Sequence, residues 1–350
     1  MNRGTRQVVL VTGGAGYIGA HTAKALYERG HQPVVYDNLS SGFREAVRWG
    51  PFVHGDIRDR ARLTDAIDAH GVTAVIHFAG LIEVGRSVAR PDLFWDVNVG
   101  GTAGVLEAMR ARNVPRLVFS SSAAVYGQSG RDALAPIREA DPKAPSSPYG
   151  DTKLAGERLI EAHCRAFGLS AVALRYFNAA GADPSGGIGE AHEPETHLIP
   201  LAIAAGLGAG SPLTLFGDDF DTPDGTCLRD YIHVCDLAAA HVAALEAPLP
   251  AGGFEAVNVG TGHGRSVREV IQAVDRALGR PTPHAVGPRR AGDPPSLVAD
   301  PSRARSVLGW TATRPSLEEI VGDAVRWERH PAYGAGPRAF RAPRVADAAE

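Results

Sequence analysis

From Gln7 to Tyr176, short apolar runs rich in β-branched residues alternate with stretches of helical period. The runs VVLVT (8–12), PVVYD (33–37), TAVIHFAG (73–80), RLVFSSSAAVYG (116–127) and SAVALRYF (170–177) read as strands, and a further short strand is implied before Asp56. Between them AKALYERG (23–30), ARLTDAIDAHG (61–71), a long segment over 92–112 and the segment from Pro148 to Phe167 have the spacing of helices. Strands that are apolar throughout, rather than alternating, are covered on both faces. With β and α taking turns, the pattern predicts an α/β fold: a doubly wound parallel sheet with its ligand site at the carboxyl ends of the strands.

Beyond Asn178 the texture changes. Residues 181–195 and 217–230 are rich in Gly, Pro, Asp and Glu and read as long loops, which on a compact fold tend to carry function. Residues 196–208 and 266–279 have helical period, and VNVGTG (257–262) reads as a strand and turn. This predicts a smaller, discontinuous α/β substrate-binding domain. Residues 1–178 with about 228–256 are expected to form the first domain, about 179–227 with 257–332 the second, and 333–350 a mobile tail.

Composition narrows the function classes. The 350 residues are 44% hydrophobic and 21% charged with a net charge of −3, so no basic field argues for nucleic acid or an anionic membrane. Three cysteines without C-x-x-C spacing do not make a disulfide framework. No apolar stretch is long enough to span a bilayer, and a soluble, cytoplasmic protein is expected. The 13 histidines are scattered, so no metal site is expected. His192 and His197 fall in loops, and His233 sits on an apolar segment where a structural role is the default.

The first strand runs into Thr12-Gly13-Gly14-Ala15-Gly16-Tyr17-Ile18-Gly19, with a helix after it. Gly14, Gly16 and Gly19 satisfy G-x-G-x-x-G, and Gly13 adds an overlapping glycine spacing. Such glycines let the backbone approach a pyrophosphate at a helix N-terminus. The motif alone could merely pack helix on strand, but here it lies between strand and helix and the next strand ends in Asp37, with Asn38 beside it. A carboxylate there accepts from the ribose hydroxyls and repels a 2′-phosphate, which favours NAD over NADP. Asp56-Ile57 would flank the adenine and Phe78-Ala79-Gly80 would line the cofactor, although plain core packing explains both as readily.

Tyr149 and Lys153 lie four residues apart at the start of a helix opened by Ser147-Pro148, hence on one face. A free phenol, with a pKa of about 10, is a poor base. The ammonium, the helix N-terminus and a positive nicotinamide ring would all favour phenolate. Tyr149 could then take a proton from a substrate hydroxyl as hydride leaves the same carbon. Ser122, in the serine run that ends the fifth strand, could hydrogen-bond the reacting oxygen. A lone Y-x-x-x-K is also a common surface pair; the glycine loop and the serine run make it a candidate catalytic set.

At this point the chain resembles the extended short-chain dehydrogenases/reductases, and among them the UDP-galactose (UDP-glucose) 4-epimerases. The likeness runs from about residue 7 to 330, through TGGAGYIGAHT (12–22), DNLSSG (37–42), GDIRD (55–59), FSSSAAVYG (119–127), SPYGDTK (147–153), LRYFNAAGADPSG (174–186), THLIP (196–200), LRDYIHVCDLA (228–238) and RRAGDPP (289–295). The resemblance implies that Asn98 and Phe177 touch NAD. It implies further that Asn178, His197, Leu198, Phe216, Arg229, Arg290 and Asp293 hold the UDP moiety of a UDP-sugar, with two arginines clamping the diphosphate and Phe216 stacking on uracil. It implies a homodimer through the helices at about 92–112 and 148–167. The implied reaction is redox-neutral: oxidation at C4 of the sugar, rotation of the 4-keto sugar, and return of hydride to the other face.

Two positions depart from the pattern of the family. Ile82-Glu83 stand where many members have a cofactor-contacting lysine, and Leu297 stands near the sugar ring where some members have tyrosine. Leucine leaves more room, so the resemblance implies that an N-acetylated sugar could fit. Ala123-Ala124 lack the acid expected of 4,6-dehydratases. Epimerases of UDP-N-acetylhexosamines or of UDP-pentoses stay open as alternatives, as does a non-catalytic NAD-binding regulator, which would have no need of Tyr149, Lys153 and Ser122 together.

Overall fold

The computed structural model describes residues 6–127, 134–290 and 293–334. The first part of the chain builds β1 (Val8–Thr12), α1 (Tyr17–Arg29), β2 (Gln32–Asp37), β3 (Phe52–His54), α2 (Arg60–His70), β4 (Ala74–His77), α3 (Val84–Ala89), α4 (Pro91–Phe94), α5 (Gly101–Ala111), β5 (Arg116–Ser120), α6 (Pro148–Phe167) and β6 (Ser170–Tyr176). Then come β7 (Asn178–Ala180), α7 (Leu198–Leu207), β8 (Leu213–Phe216), β9 (Leu228–His233), α8 (Val234–Glu246), β10 (Phe254–Val259), β11 (Gly264–Ser266), α9 (Val267–Leu278), β12 (His284–Gly287), β13 (Ser296–Leu297), α10 (Ser302–Leu308) and α11 (Leu317–Arg329).

Seven parallel strands form the large sheet in the order β10-β6-β5-β4-β1-β2-β3. Their apolar runs face two cores. On one side Leu10, Val34, Val75, Leu117 and Ala171 pack against α2, α5 and α6. On the other, Val9, Val11, Ile76, Val118 and Val172 pack against α1 and α8. Local chemistry stops and starts the helices. Gly30, Gly71 and Gly168 end α1, α2 and α6 in the left-handed conformation, and Ser147 caps α6 by accepting from the Gly150 amide at 3.2 Å.

A smaller lobe holds the sheet β11-β9-β13, with β7 also on β9, and the parallel pair β8–β12. Here α7, α9 and α11 share a core around Ile203, Val270, Ile271 and Ile320.

The structure revises several expectations. Strands expected over 73–80 and 116–127 end at His77 and Ser120, because the residues beyond them turn into the site. The helix expected over 92–112 is broken by a π turn at Trp95–Gly100, whose cause lies in Asn98 and is given below. The domain boundary expected between 256 and 257 falls inside β10, which pairs with β6 in the large sheet. Residues 228–233, expected with the large sheet, form β9 at the heart of the small one. Both are short apolar strands whose sheet partner cannot be read from their own pattern. Most of the expected tail, from 335 onward, lies outside the described residues.

Candidate active site

Backbone packing shapes the glycine loop. Gly13 has φ 71°, and a Cβ there would stand 2.6 Å from the Ala79 nitrogen; at Gly19 it would meet the Gly13 carbonyl oxygen at 2.2 Å. Neither position tolerates a side chain. Helix α1 starts at Tyr17 with no side-chain cap on its first amides, the arrangement that receives a phosphate group. Asp37 ends β2 as expected. Its Oδ2 accepts from the Ala15 amide at 3.0 Å and its Oδ1 from the Leu39 amide at 2.8 Å. Burial raises its pKa while those amides pull it back. The carboxylate thus braces the loop, and each oxygen keeps a lone pair for a ribose hydroxyl.

Other cofactor-side expectations land differently. Asp56 is gripped by Arg58 through two nitrogens at 2.9 Å and by Asn38 at 2.9 Å, which hold its carboxyl well below the ordinary range. Ile57 is buried in the core, where its side chain presses on Gly101. Phe78 packs at a tilt against His241, with ring centres 4.5 Å apart. Ala79 lies against Gly13, and a Cβ on Gly80 would stand 3.0 Å from the Asn98 Oδ1 and 4.0 Å from the Lys153 Nζ. Asn98 is buried in the π turn. It accepts from the Leu81 amide at 2.8 Å and donates to the Leu81 carbonyl at 3.1 Å and to Thr152 at 3.1 Å. The extra helical residue aims this amide at the loop after β4, a common reason for a π turn at a site. The Tyr17 hydroxyl donates to the Gly181 carbonyl at 2.6 Å, which ties the glycine loop to the small lobe. Ile18 packs into the core beside α8, and the side chain at 82, where a lysine was expected to be missing, is exposed.

The catalytic candidates meet at the carboxyl end of β5. Lys153 is buried, donates to the Ser120 carbonyl at 2.9 Å, and its Nζ lies 5.9 Å from the centre of the Tyr149 ring. Ser122 accepts from the Ala124 amide at 3.1 Å, and its hydroxyl favours the ionised form of the Tyr149 phenol. The phenolate expected of Tyr149 is not favoured by the chain alone. Burial pushes its pKa well up and Tyr176 adds to that, with Ser122 in opposition. Burial also pushes Lys153 down to about 8, against the pull of Glu157. The expected help from the ammonium is therefore partial, and Tyr149 needs added positive charge beside it to act as a base near neutral pH.

Behind this set lies a network that sequence reasoning missed. Arg175 grips Glu157 with two nitrogens at 2.9 and 2.6 Å, and the Ser121 hydroxyl donates to Glu157 at 2.5 Å. Arg175 also donates to the Tyr126 hydroxyl at 2.9 Å, which donates to Asn258 at 2.6 Å. Glu157 stands one turn beyond Lys153, so helical spacing was a signal for it; Arg175, on another strand, had none.

On the small lobe, Asn178 lies opposite Tyr231 on β9, and Leu297 lies opposite Arg229. These three expected positions therefore share one sheet. Leu297 also packs with Phe177, Ala123 and Ala299, which joins this sheet to the catalytic end. Arg229 donates to the Pro294 carbonyl at 3.0 Å and to Asp293 at 3.4 Å. Phe216 and Arg290, expected on separate parts of a ligand, stack on each other with the guanidinium carbon 4.0 Å from the ring centre.

His197 precedes Leu198, the first residue of α7. Its Nδ1 lies 2.8 Å from the Glu190 Oε1 and 2.9 Å from the Glu195 Oε1. Burial lowers its pKa, but Glu190 and Glu195 outweigh that and hold the imidazole protonated. Sequence spacing left His192 and His197 as unrelated loop histidines. The fold brings ligand atoms of Glu190, His192, Glu195 and His197 to within 4.8 Å of one another.

A doubly wound sheet, an uncapped glycine-loop helix with Asp37 beside it, and a buried Tyr-Lys pair facing a serine together define a dinucleotide-dependent enzyme of the short-chain dehydrogenase type. The residues from 9 to 260 match the NAD dependent epimerase/dehydratase family, and the chain belongs to that family. The UDP-glucose 4-epimerase of Rhizobium meliloti is 50% identical over 319 residues, which span 91% of this chain and 96% of that one. The crystal structure of UDP-glucose 4-epimerase from Brucella ovis in complex with NAD is 51% identical. It aligns with TM-score 0.88 over 91% of this chain and 97% of that one. UDP-glucose 4-epimerase from Bifidobacterium longum, in complex with NAD+ and UDP, is 38% identical, with TM-score 0.87 over 95% of this chain and the whole of the other.

Proposed function

We propose that the chain is an NAD-dependent UDP-glucose 4-epimerase, interconverting UDP-galactose and UDP-glucose by inversion at C4 and serving galactose metabolism or the supply of polysaccharide precursors. The observation that carries this reading is the meeting of Tyr149, Ser122 and Lys153 beside the loop Gly80–Leu81, which Asn98 clamps. The high identity to named UDP-glucose 4-epimerases supports the substrate class.

NAD, held by the glycine loop and Asp37, would supply the acceptor and donor for the hydride at C4. Tyr149 takes the 4-hydroxyl proton as the carbon is oxidised and gives it back on reduction. Ser122 holds the reacting oxygen, and Lys153, anchored on the Ser120 carbonyl, supplies charge beside the phenol. Arg229 and Arg290 bind the diphosphate and Phe216 stacks on uracil, for which Arg290 must release its stacked partner. Asn178, His197, Leu198 and Asp293 complete the nucleotide side. Gly13, Gly16, Tyr17, Ile18, Gly19 and Asp37 form the dinucleotide side through their backbone and the one carboxylate. No described helix is long and apolar enough to cross a membrane; the reading places the enzyme in the cytoplasm. The exposed Trp95 and Phe167, on the two helical segments named above, support a homodimer through that face.

The test is incubation of purified protein with UDP-galactose and no added NAD, following UDP-glucose. Conversion to an equilibrium mixture is expected, with turnover falling by about 10³-fold or more in Tyr149→Phe. No conversion even with added NAD would remove this substrate pair. A second reading rests on Leu297, partly buried against Phe177 and Ala123: the sugar pocket also admits UDP-N-acetylglucosamine. Background rates with that sugar beside good turnover of UDP-galactose would exclude it.

A further inference from the structure

The loop between β7 and α7 carries a cluster of four side chains, Glu190, His192, Glu195 and His197, of which the epimerase reading uses His197 alone. Glu190 and Glu195 are almost wholly buried, yet both are carboxylates. The His192 Nδ1 stands 3.0 Å from the Glu190 Oε1 and 3.9 Å from the Glu195 Oε2, and the His197 Nδ1 stands between one oxygen of each glutamate. Two carboxylates converging on two imidazoles leave two negative charges when the rings are neutral. Burial makes that arrangement costly without compensation.

We propose that Glu190, His192, Glu195 and His197 form a structural site for one divalent transition-metal ion, with zinc as the best match. Two imidazole nitrogens and two carboxylate oxygens are a borderline set that suits zinc and would also take cobalt. Bonds of about 2.0–2.2 Å from a central zinc place tetrahedral ligand atoms roughly 3.4 Å apart. The four atoms here already lie within 4.8 Å, and three pairs lie at 2.8–3.0 Å. Small side-chain rotations would open those short pairs and draw the wider ones in. One ion neutralises both glutamates, and coordination through Nδ1 leaves the His197 Nε2–H as a donor. Four protein ligands leave no open position, so the ion holds structure and takes no part in the chemistry.

The surroundings show what it would hold. The Trp327 indole of α11 donates to the Glu190 carbonyl at 2.6 Å, and Tyr333 donates to the neighbouring Gly189 carbonyl at 3.0 Å. The His192 ring stands edge-on to Tyr17 of the glycine loop, with ring centres 6.2 Å apart. Glu195 also accepts from the Thr196 and His197 amides at 2.7 and 2.8 Å, which shapes the entry to α7. An ion at the centre would therefore staple the first turn of α7 to the loop that leans on the cofactor side.

Untagged protein is stripped with a chelator, exposed to zinc chloride, desalted and assayed by elemental analysis. About one zinc per chain is expected, against less than ~0.1 in Glu190→Gln and in His192→Ala. The same treatment with cobalt is expected to give the intense visible bands of a tetrahedral ion in the wild type alone. Zinc is also expected to raise the melting temperature of the stripped wild type and not of the variants. Should those variants misfold, Glu195→Gln keeps an acceptor for the two amides and is expected to lose the ion while melting cooperatively. Wild-type protein that retains almost no zinc or cobalt overturns the proposal, leaving a cluster held by protein groups alone. Equal metal content in wild type and variants overturns it too, since the ion would then sit elsewhere. None of these measurements involves epimerase activity, so they stand or fall apart from the proposed function.

Discussion

The glycine loop and the small-lobe loops adjoin through Tyr17 and are built by different means. On the glycine-loop side, shape comes from backbone pressed on backbone: Gly13 against Ala79, and Gly19 against Gly13. The buried histidines around that sheet are neutral, with burial pushing His77 down to about 3 and His21 and His241 to about 4. On the small lobe, shape comes from charge. Arg229 leans on Asp293, and in the metal-free chain His197 is held protonated between two glutamates. Steric contacts permit one geometry, whereas ion pairs can exchange a partner for a ligand. On the proposed reading, a cofactor that stays through many turnovers would meet the rigid side, and a nucleotide sugar that comes and goes would meet the exchangeable one.

The hardest way to break this contrast is Gly19→Ala. The added Cβ cannot coexist with the Gly13 carbonyl, so a loss of about 3 kcal/mol or more and of bound NAD is expected, read by melting temperature and by nucleotide released on denaturation. Retention of NAD at wild-type stability would show the loop to be adaptable after all. Acid comes next. His21, His77 and His241 have depressed folded-state pKa values, so the unfolded chain binds more protons once pH drops below about 6.5. Their contribution is complete above that pH and is lost as pH falls from 6.5 toward 4, on the order of several kcal/mol in all. In the metal-free protein His197 has the opposite sign: its pairing stabilises fully below about 6.5 and weakens as pH rises through its raised pKa. Denaturant melts from pH 4 to 8 should show the loss on acidification, and His77→Asn or His241→Gln should flatten it.

Arg229→Ala should act in the other currency, raising KM for the UDP-sugar about 10–100-fold with a smaller change in kcat and a fold that still melts cooperatively. The smallest effect belongs to Arg289→Ala, whose partner Asp219 is fully exposed; melting temperature and kinetic constants should stay at wild-type values.

The same contrast decides what could be read from the sequence. Val8–Thr12, the glycine spacing, Asp37 and the Tyr149/Lys153 pair are local patterns, each set within one strand, turn or helix. They place the large sheet and the catalytic residues. The small lobe depends on contacts between distant segments. Glu190 is positioned by Trp327 and Phe216 by Arg290, and no period in the chain announces such meetings. The side chain of Ile57 went into the core because Gly101 opens a space for it, a fact held by a helix that reads as an ordinary amphipathic one. Asn98 was found through resemblance, but its π turn was not, since a single inserted residue leaves the helical period nearly intact.

The order of strands in the large sheet bears on how the protein comes off the ribosome. The chain leaves that sheet at Tyr176, builds β7, α7, β8, β9 and α8, and only then returns with β10 to cover the open edge of β6. Until residue 259 has emerged, six strands stand assembled with a long, flat, apolar edge unpaired. Such an edge is a ready template for another chain, and a parallel pairing over this separation is slow to form. The nascent protein is therefore most prone to aggregate in the window between synthesis of β6 and of β10, and slowed translation across residues 177–253 would lengthen that exposure.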